Sequence, residues 1–331
     1  MEQKNIQWGI IGCGDVTEVK SGPALDLIPG SRRVAVMRRN AALAQDYAQR
    51  HGVPKWTCDA DELINDPEVN AVYIATPPDT HAAYTLKAAQ AGKPVYVEKP
   101  MALDHQQCQA MIEACQQANV PLFVAYYRRC LPAYLKIKDL IESGAIGQVL
   151  LFNIKMMRPL SDSDRKVPWR VRPEIAGGGH FVDLASHQLD FMDDCFGPIQ
   201  EVIGYARNQA QAYPAEDIVS ASFVCQSGVV GSGLWCFTTA SCCQRDCVEI
   251  VGDQGRITFS TFNHEVPVTL MTESGIEEFH LPQPKHVQQP LLETVVAELQ
   301  GTGKCPSTGV SGARTTWVME EILKGMKGSM G

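Results

Sequence analysis

Residues 6–17 read IQWGIIGCGDVT. A short apolar run ends in Gly12-Cys13-Gly14-Asp15-Val16-Thr17, where a helix is expected to begin. The pattern is G-x-G-x-x-T rather than G-x-G-x-x-G. The first two glycines permit a tight turn and let a pyrophosphate approach backbone N–H groups at a helix start. Thr17 in place of a third glycine sets helix and strand slightly further apart. Two readings are open. One is a plain tight turn. The other is the phosphate turn of a dinucleotide-binding domain, with Gly12, Cys13, Gly14, Asp15 and Val16 against the cofactor.

The flanking sequence favours the second. RRVAVM, AVYIAT, PVYVEK and PLFVAY are further short apolar runs. Between them AALAQDYAQRHG, HAAYTLKAAQAG and HQQCQAMIEACQQAN carry helical periodicity. Strands alternating with helices imply a parallel, doubly wound α/β sheet. In NAD-specific domains an acidic residue commonly ends the second strand and bonds the ribose 2′-hydroxyl. Here Arg38, Arg39 and Asn40 follow VAVM. Two guanidiniums suit a 2′-phosphate, so NADP(H) is favoured over NAD(H), which stays possible. A solvated basic turn is the bland alternative. Thr76-Pro77-Pro78, with His81 after it, and Glu98-Lys99-Pro100 both follow apolar strands. Ligands of open α/β sheets bind at that edge. A lysine fixed there can reach a substrate oxygen; it can equally be a surface lysine at a strand end.

The whole chain of 331 residues exceeds one ordinary core, which makes two domains the expectation. A net charge of −8 lacks the basic footprint of a nucleic-acid binder. Twelve cysteines without a C-x-x-C pair read as reduced thiols. No run approaches the length of a membrane span, and MEQKNIQWGIIG lacks a secretory pattern. A cytoplasmic protein is expected.

After residue 125 the pattern changes. LPAYLKIKDLIESG reads as a helix and QVLLFNIKMMR as a long strand. Residues 159–176 read as a polar loop, a lid or substrate wall. IQEVIGYARN, DIVSASFVC, VVGSGLWCF, DCVEIVGD and GRITFSTF are closely spaced strand patterns, which argues antiparallel connections. VQQPLLETVVAELQG and SGARTTWVMEEILKGM read as helices. The expected division is 1–125 for nucleotide binding and 126–331 for substrate binding and oligomerisation.

Within the second part, residues 177–190 read GGGHFVDLASHQLD. On a regular helix His180, Asp183, His187 and Asp190 share one face. That face can hold a metal, move a proton, or cap and line a packed helix. Ten residues span about 15 Å of helix, too long for all four to reach one ion. With no second ligand cluster in the sequence, no metal is expected. Asp190 and His180 read as structural.

Gly12-Cys13-Gly14, Glu98-Lys99-Pro100 and Gly177-Gly178-Gly179-x-x-x-Asp183-x-x-x-His187 together resemble the Gfo/Idh/MocA family of nicotinamide-dependent oxidoreductases, mostly of sugars and cyclitols. Arg129-x-x-Pro132 and Trp169-Arg170 also look like family features. The resemblance covers the chain. It implies an N-terminal Rossmann domain and a C-terminal α+β domain with an open, largely antiparallel sheet. It implies Lys99, Asp183 and His187 as catalytic residues, with Lys99 at the reacting hydroxyl. It also implies a homodimer or homotetramer built on the second sheet. Two departures stand out: Thr17 in the glycine turn, and Ala185-Ser186 where glycine often precedes the histidine.

Proton chemistry agrees with these roles. Oxidising a secondary alcohol requires removal of its hydroxyl proton, and an imidazole with an ordinary pKa of about 6.5 suits that. His187 is therefore the expected base in oxidation and acid in reduction. Asp183 would orient it or bond a neighbouring hydroxyl, and Lys99 would stabilise the alkoxide. Tyr126 and Arg129 are further substrate candidates, and Trp169 and Arg170 cover the cofactor or pack between domains. His286 is not separable from a surface histidine. The expected activity is hydride transfer between NADP(H) and a sugar, keto sugar or polyol. A redox-neutral glycoside-cleaving enzyme and a non-catalytic nucleotide-binding sugar sensor are the alternatives.

Overall fold

The computed structural model describes residues 5–325. They form two compact units: 5–131 with Pro284–Ala313, and Pro132–Gln283 with 314–325. The sequence placed the division after residue 125 and put 284–313 in the second part, so the units differ from that expectation. The cause is visible at the sixth strand of the first unit. Ser307 Oγ donates to Val124 O at 2.7 Å, and Phe123 pairs with Thr308 in an isolated antiparallel bridge. A Cβ on Gly312 would come within 2.6 Å of Val124 Cγ2, so this position packs only as glycine. No local periodicity encodes such a return.

In the first unit, β1 Ile6–Ile11, β2 Ser31–Met37, β3 Lys55–Thr57, β4 Ala71–Ile74, β5 Val95–Val97 and β6 Leu122–Val124 form a sheet ordered β3-β2-β1-β4-β5-β6. All its pairings are parallel. Every residue of β4, β5 and β6 is buried, as expected of strands covered on both faces. The connections from β1 lead to opposite edges, and the crevice at that switch point is where such sheets bind ligands. The helix Ala41–His51 shows how the sequence sets element ends. The Asn40 side chain accepts from the Leu43 N–H, and Gly52 closes the helix in the left-handed conformation.

In the second unit, β7 Val149–Met157, β8 Ile199–Arg207, β9 Ile218–Cys225, β10 Val230–Cys236, β11 Arg245–Gly252, β12 Gly255–Phe259, β13 Val268–Thr272 and β14 Gly275–Phe279 form one sheet. Its order is β14-β13-β12-β11-β7-β10-β9-β8. The pairings are antiparallel except β7 with β10, which is parallel. Burial alternates along β9 and β10, so one face is covered and the other is not. The covered face carries the helix Ser186–Phe196. Phe181, just before it, meets Trp235 edge-on at 5.1 Å, and Phe191 meets Tyr134 at 4.7 Å. Gln188 joins helix to sheet at two points: its Oε1 accepts the Trp235 indole N–H at 2.7 Å, and its Nε2 donates to Thr261 Oγ1 at 3.0 Å. No helix among the described residues is long and apolar enough to cross a membrane.

Candidate active site

In the first unit the expected turns all stand at the C-terminal ends of parallel strands. Gly12 follows β1 with φ +93°, and a Cβ there would lie 2.7–2.8 Å from Thr76 Cγ2 and N. Only glycine fits that close approach. A Cβ on Gly14 would face open space, with nothing nearer than Gly12 O at 3.9 Å. Room for a phosphate against the backbone is what the dinucleotide reading requires, and the turn supplies it. The N–H groups of Gly12 and Cys13 both donate to Met37 O, fastening the turn to the end of β2. Gly14, Asp15 and Val16 open the helix Asp15–Val19. Thr17, in place of the third glycine, donates its hydroxyl to Gly14 O at 2.8 Å and so closes the turn itself. The Cys13 thiol is buried and pushed up to about 11, so Cys13 contributes backbone rather than thiolate chemistry.

Arg38 follows β2, and its Nη1 donates to Cys13 O at 3.3 Å. Its guanidinium therefore sits at the glycine turn, whereas Arg39 is exposed beside it. Thr76 and Pro77 follow β4 and are half-buried. His81 is fully buried: Nε2 lies 2.8 Å from Thr76 O and Nδ1 3.0 Å from Pro100 O. Burial lowers its pKa. His81, a cofactor candidate, lies between the turns after β4 and β5, and as a neutral ring it donates to one of the two carbonyls.

Those turns carry Lys99. Lys99 is half-buried at the end of β5, joined to Pro100 by a cis peptide bond. Its neighbour Glu98, also a cofactor candidate, is buried: Oε1 accepts the Tyr73 hydroxyl and the Gln288 amide, both at 2.7 Å. Tyr126 and Arg129, expected as substrate residues, are also buried, and Arg129 Nη1 donates to Pro306 O at 3.0 Å. Arg129 thereby braces the returning C-terminal segment.

In the second unit the glycine run works by packing. Gly177 closes the short helix Pro173–Ala176 at φ +78°, and a Cβ on Gly179 would lie 2.6 Å from Ala215 Cβ. Beyond the glycines the backbone departs from the expected regular helix. Residues Phe181–Ala185 form a π-helical turn that leads into the α-helix Ser186–Phe196. The wider turn changes the angle between successive residues, so His180, Asp183, His187 and Asp190 do not form the single stripe that α-helical spacing implied. Asp183 is on the π turn and half-buried; His187 starts the α-helix and is buried, with its ring 6.2 Å from that of Phe262.

The outer members are structural, as expected. His180 Nε2 lies 2.7 Å from Asp164 Oδ1, and Arg158 Nη2 lies 2.9 Å from Asp164 Oδ2. Burial raises the Asp164 carboxyl, but bonds from Ser161 and the nearby His180 outweigh it and hold it at about 2. Asp190 is buried and accepts from Thr315 Oγ1 at 3.4 Å. The segment expected as a polar loop contains two 3-10 turns, Asp164–Lys166 and Trp169–Val171. It reaches the catalytic candidates through Arg170. The Arg170 guanidinium stacks on Trp169 at 4.4 Å, and its Nε lies 3.9 Å from Asp183 Oδ2. Among the described residues no three His, Cys, Asp or Glu side chains are grouped to hold a metal ion.

Comparison with known proteins settles the family. A model described as "Oxidoreductase family, NAD-binding Rossmann fold" matches residues 6–126, and one for the GFO/IDH/MocA C-terminal domain matches 134–258. The chain belongs to the Gfo/Idh/MocA oxidoreductases. It is 40% identical to Oxidoreductase P35 of Formosa agariphila over 321 residues, covering 96% of this chain and 98% of that one. It is 26% identical to scyllo-inositol 2-dehydrogenase (NAD(+)) of Bacillus subtilis, covering 93% and 88%. A levoglucosan dehydrogenase solved with NADH and levoglucosan shares the fold, with a TM-score of 0.84, 24% identity and 96% of each chain covered. This Gfo/Idh/MocA protein is thus a nicotinamide-dependent oxidoreductase acting on CH–OH groups.

Proposed function

We propose that this oxidoreductase prefers NADP(H) and acts on a secondary alcohol or ketone of a sugar, keto sugar or polyol. The observation that carries the cofactor preference is Arg38. Its guanidinium is fastened to Cys13 O at the end of β2, where a ribose 2′-substituent belongs in this fold. No carboxylate occupies the strand end, and Arg39 adds a second cation. The substrate class follows the relatives: scyllo-inositol is named for one and levoglucosan for another.

When bound, the nicotinamide supplies the hydride acceptor or donor. The chain's own residues manage the substrate's oxygen and proton. Lys99, as an ammonium, bonds the reacting oxygen and stabilises negative charge that develops on it. His187 takes the hydroxyl proton in oxidation and returns it in reduction. Asp183 orients the imidazole or accepts from a neighbouring hydroxyl. Gly12 to Val16, Thr76 and Pro77 cradle the dinucleotide, and Trp169 with Arg170 walls the site. Burial of His187 keeps the proton exchange with substrate rather than bulk water.

The uncovered face of the second sheet carries Leu151, Ile203, Tyr205 and Val230, all exposed. We infer that a second copy of the chain covers it, giving the homodimer or homotetramer.

A parallel fluorescence titration of dinucleotide-free protein with NADPH and NADH tests the cofactor reading. Tighter NADPH binding that Arg38→Ala abolishes supports it. Equal or tighter NADH binding refutes the phosphate clamp.

A further inference from the structure

The segment 286–288 ties together two parts of the first unit that the activity needs in register. The helix Asp15–Val19 ends with carbonyls that have no partner inside the helix. His286 Nδ1 donates to Val19 O at 2.5 Å, and the Gln288 N–H donates to Lys20 O at 3.1 Å. The same Gln288 reaches the turn after β5 with its side chain. Its Nε2 donates to Glu98 Oε1 at 2.7 Å, and its Oε1 accepts the Tyr96 hydroxyl at 2.8 Å. Gln288, Tyr73 and Tyr96 are all fully buried.

Glu98 is held from three directions. The Tyr73 hydroxyl and the Gln288 amide both bond Oε1, and the Lys99 N–H donates to Oε2 at 3.3 Å. Tyr73 Oη also lies 2.9 Å from Ser21 Oγ, which lies 3.3 Å from Val16 O. Since the Tyr73 proton goes to the carboxylate, Ser21 is left to donate to Tyr73 or to Val16. A path of polar contacts therefore runs from the glycine-turn helix through Ser21, Tyr73 and Glu98 to the backbone of Lys99, buried at its centre and part-buried at both ends, with Ser21 bonding one of its two neighbours at a time. Gln288 closes this path into a loop from the other side. The buried bonds of Glu98 with Tyr73 and Gln288, and of Gln288 with Tyr96, are costly to break, because the group left behind is desolvated.

We propose that Gln288 is a positioning residue for Lys99: its carboxamide fixes Glu98, and so holds the lysine turn at a set distance from the helix that begins the dinucleotide site. The consequence for turnover rests on the assignment of Lys99 to the substrate oxygen. The positioning itself does not.

The chemistry of the carboxamide supplies a discriminating variant. Gln288→Glu puts a second carboxylate against Glu98. Two carboxylates sharing one site cannot both stay ionised cheaply, so the pair takes up a proton as pH falls. Once protonated, the introduced carboxyl offers an O–H to Glu98 and a carbonyl to Tyr96, which mimics the amide. Gln288→Leu offers neither at any pH.

The test labels the full-length protein and both variants with trinitrobenzenesulfonate and measures each lysine by peptide mass spectrometry between pH 8 and pH 5.5. Lys55, Lys87 and Lys155 serve as internal controls. The expected result is a Lys99 rate changed several-fold relative to wild type in both variants at pH 8, returning to the wild-type rate on acidification only in Gln288→Glu. Turnover of scyllo-inositol or levoglucosan follows the same pattern, with a loss of about 100-fold where the turn is displaced by about an ångström. Lys99 rates equal to wild type, or a change shared by all the lysines, overturns the proposal. So does a Gln288→Glu profile that never diverges from Gln288→Leu. Undiminished turnover in Lys99→Ala overturns the catalytic reading of Lys99 instead, and the labelling result distinguishes that failure from this one.

Discussion

Arg170 Nε stands 3.9 Å from Asp183 Oδ2 while its guanidinium stacks on the Trp169 ring. The aromatic face fixes the cation, and the cation faces a carboxylate expected to meet substrate. Arg170→Ala should lower kcat/KM by about tenfold, in the range of one lost charge-assisted contact. Dinucleotide affinity should stay within about threefold if Arg170 acts through Asp183. Steady-state kinetics beside an NADPH titration check this. A loss confined to dinucleotide binding would place Arg170 at the cofactor.

Gln188 fastens the helix that begins at Ser186 to the sheet, through Trp235 and Thr261. Gln188→Leu leaves an indole N–H and a hydroxyl buried without these partners. The expected cost is about 2–3 kcal/mol, measured by urea unfolding. Because His187 is the adjacent residue, turnover should fall even at temperatures where the variant remains folded. Full turnover in a folded variant would show that the anchor does not position His187.

His81 gives a pH signature to stability. Its folded pKa is lowered by burial, so the unfolded chain binds a proton that the folded chain resists. The stabilisation is complete above the unfolded value of about 6.5 and is lost as pH falls through that value toward the lower folded one. Unfolding free energy should decline between about pH 7 and pH 5, and His81→Gln should flatten that decline. An equally steep decline in the variant would assign it to other groups.

Asp164 acts in a lower window. Its carboxyl is held at about 2 against an ordinary value of 3.8, so its contribution is complete above about pH 4 and lost as pH falls toward 2. Asp164→Asn should destabilise the protein by about 1–3 kcal/mol at neutral pH, since it leaves His180 and Arg158 without a buried anion. It should also remove the acid-side loss in that window. Equilibrium unfolding at pH 7 and pH 3 measures both.

How far the sequence carried differs by element. Parallel strands such as AVYI are continuous apolar runs, and the glycine turn announces itself by composition, so the first sheet was legible. Strand β3, three residues long, and the hairpin β13–β14, exposed along its second strand, leave too little hydrophobic signal. The return of 284–313 to β6 depends on contacts between residues far apart in the chain, such as Ser307 with Val124. The π turn at Phe181–Ala185 is likewise set by packing, because a regular helix and a π turn share one residue pattern. The proposed site residues Gly12, Lys99, Asp183 and His187 stand in motifs that the sequence displays. The internal bonds of Glu98, His81 and Arg129 were not legible, since their partners, such as Gln288 and Pro306, lie far away in the chain. Gln288 carried no sequence signal at all.

Hydride transfer from a substrate carbon, with His187 and Lys99 managing the oxygen, has a direct isotopic test. The protein is incubated with NADP+ and scyllo-inositol carrying deuterium on its ring carbons, and the label is located by NMR. Deuterium is expected on the reduced nicotinamide in the wild type, and lost in Lys99→Ala and His187→Ala. Unlabelled cofactor with a panel of deuterated sugars and polyols, despite demonstrated dinucleotide binding, would contradict this mechanism.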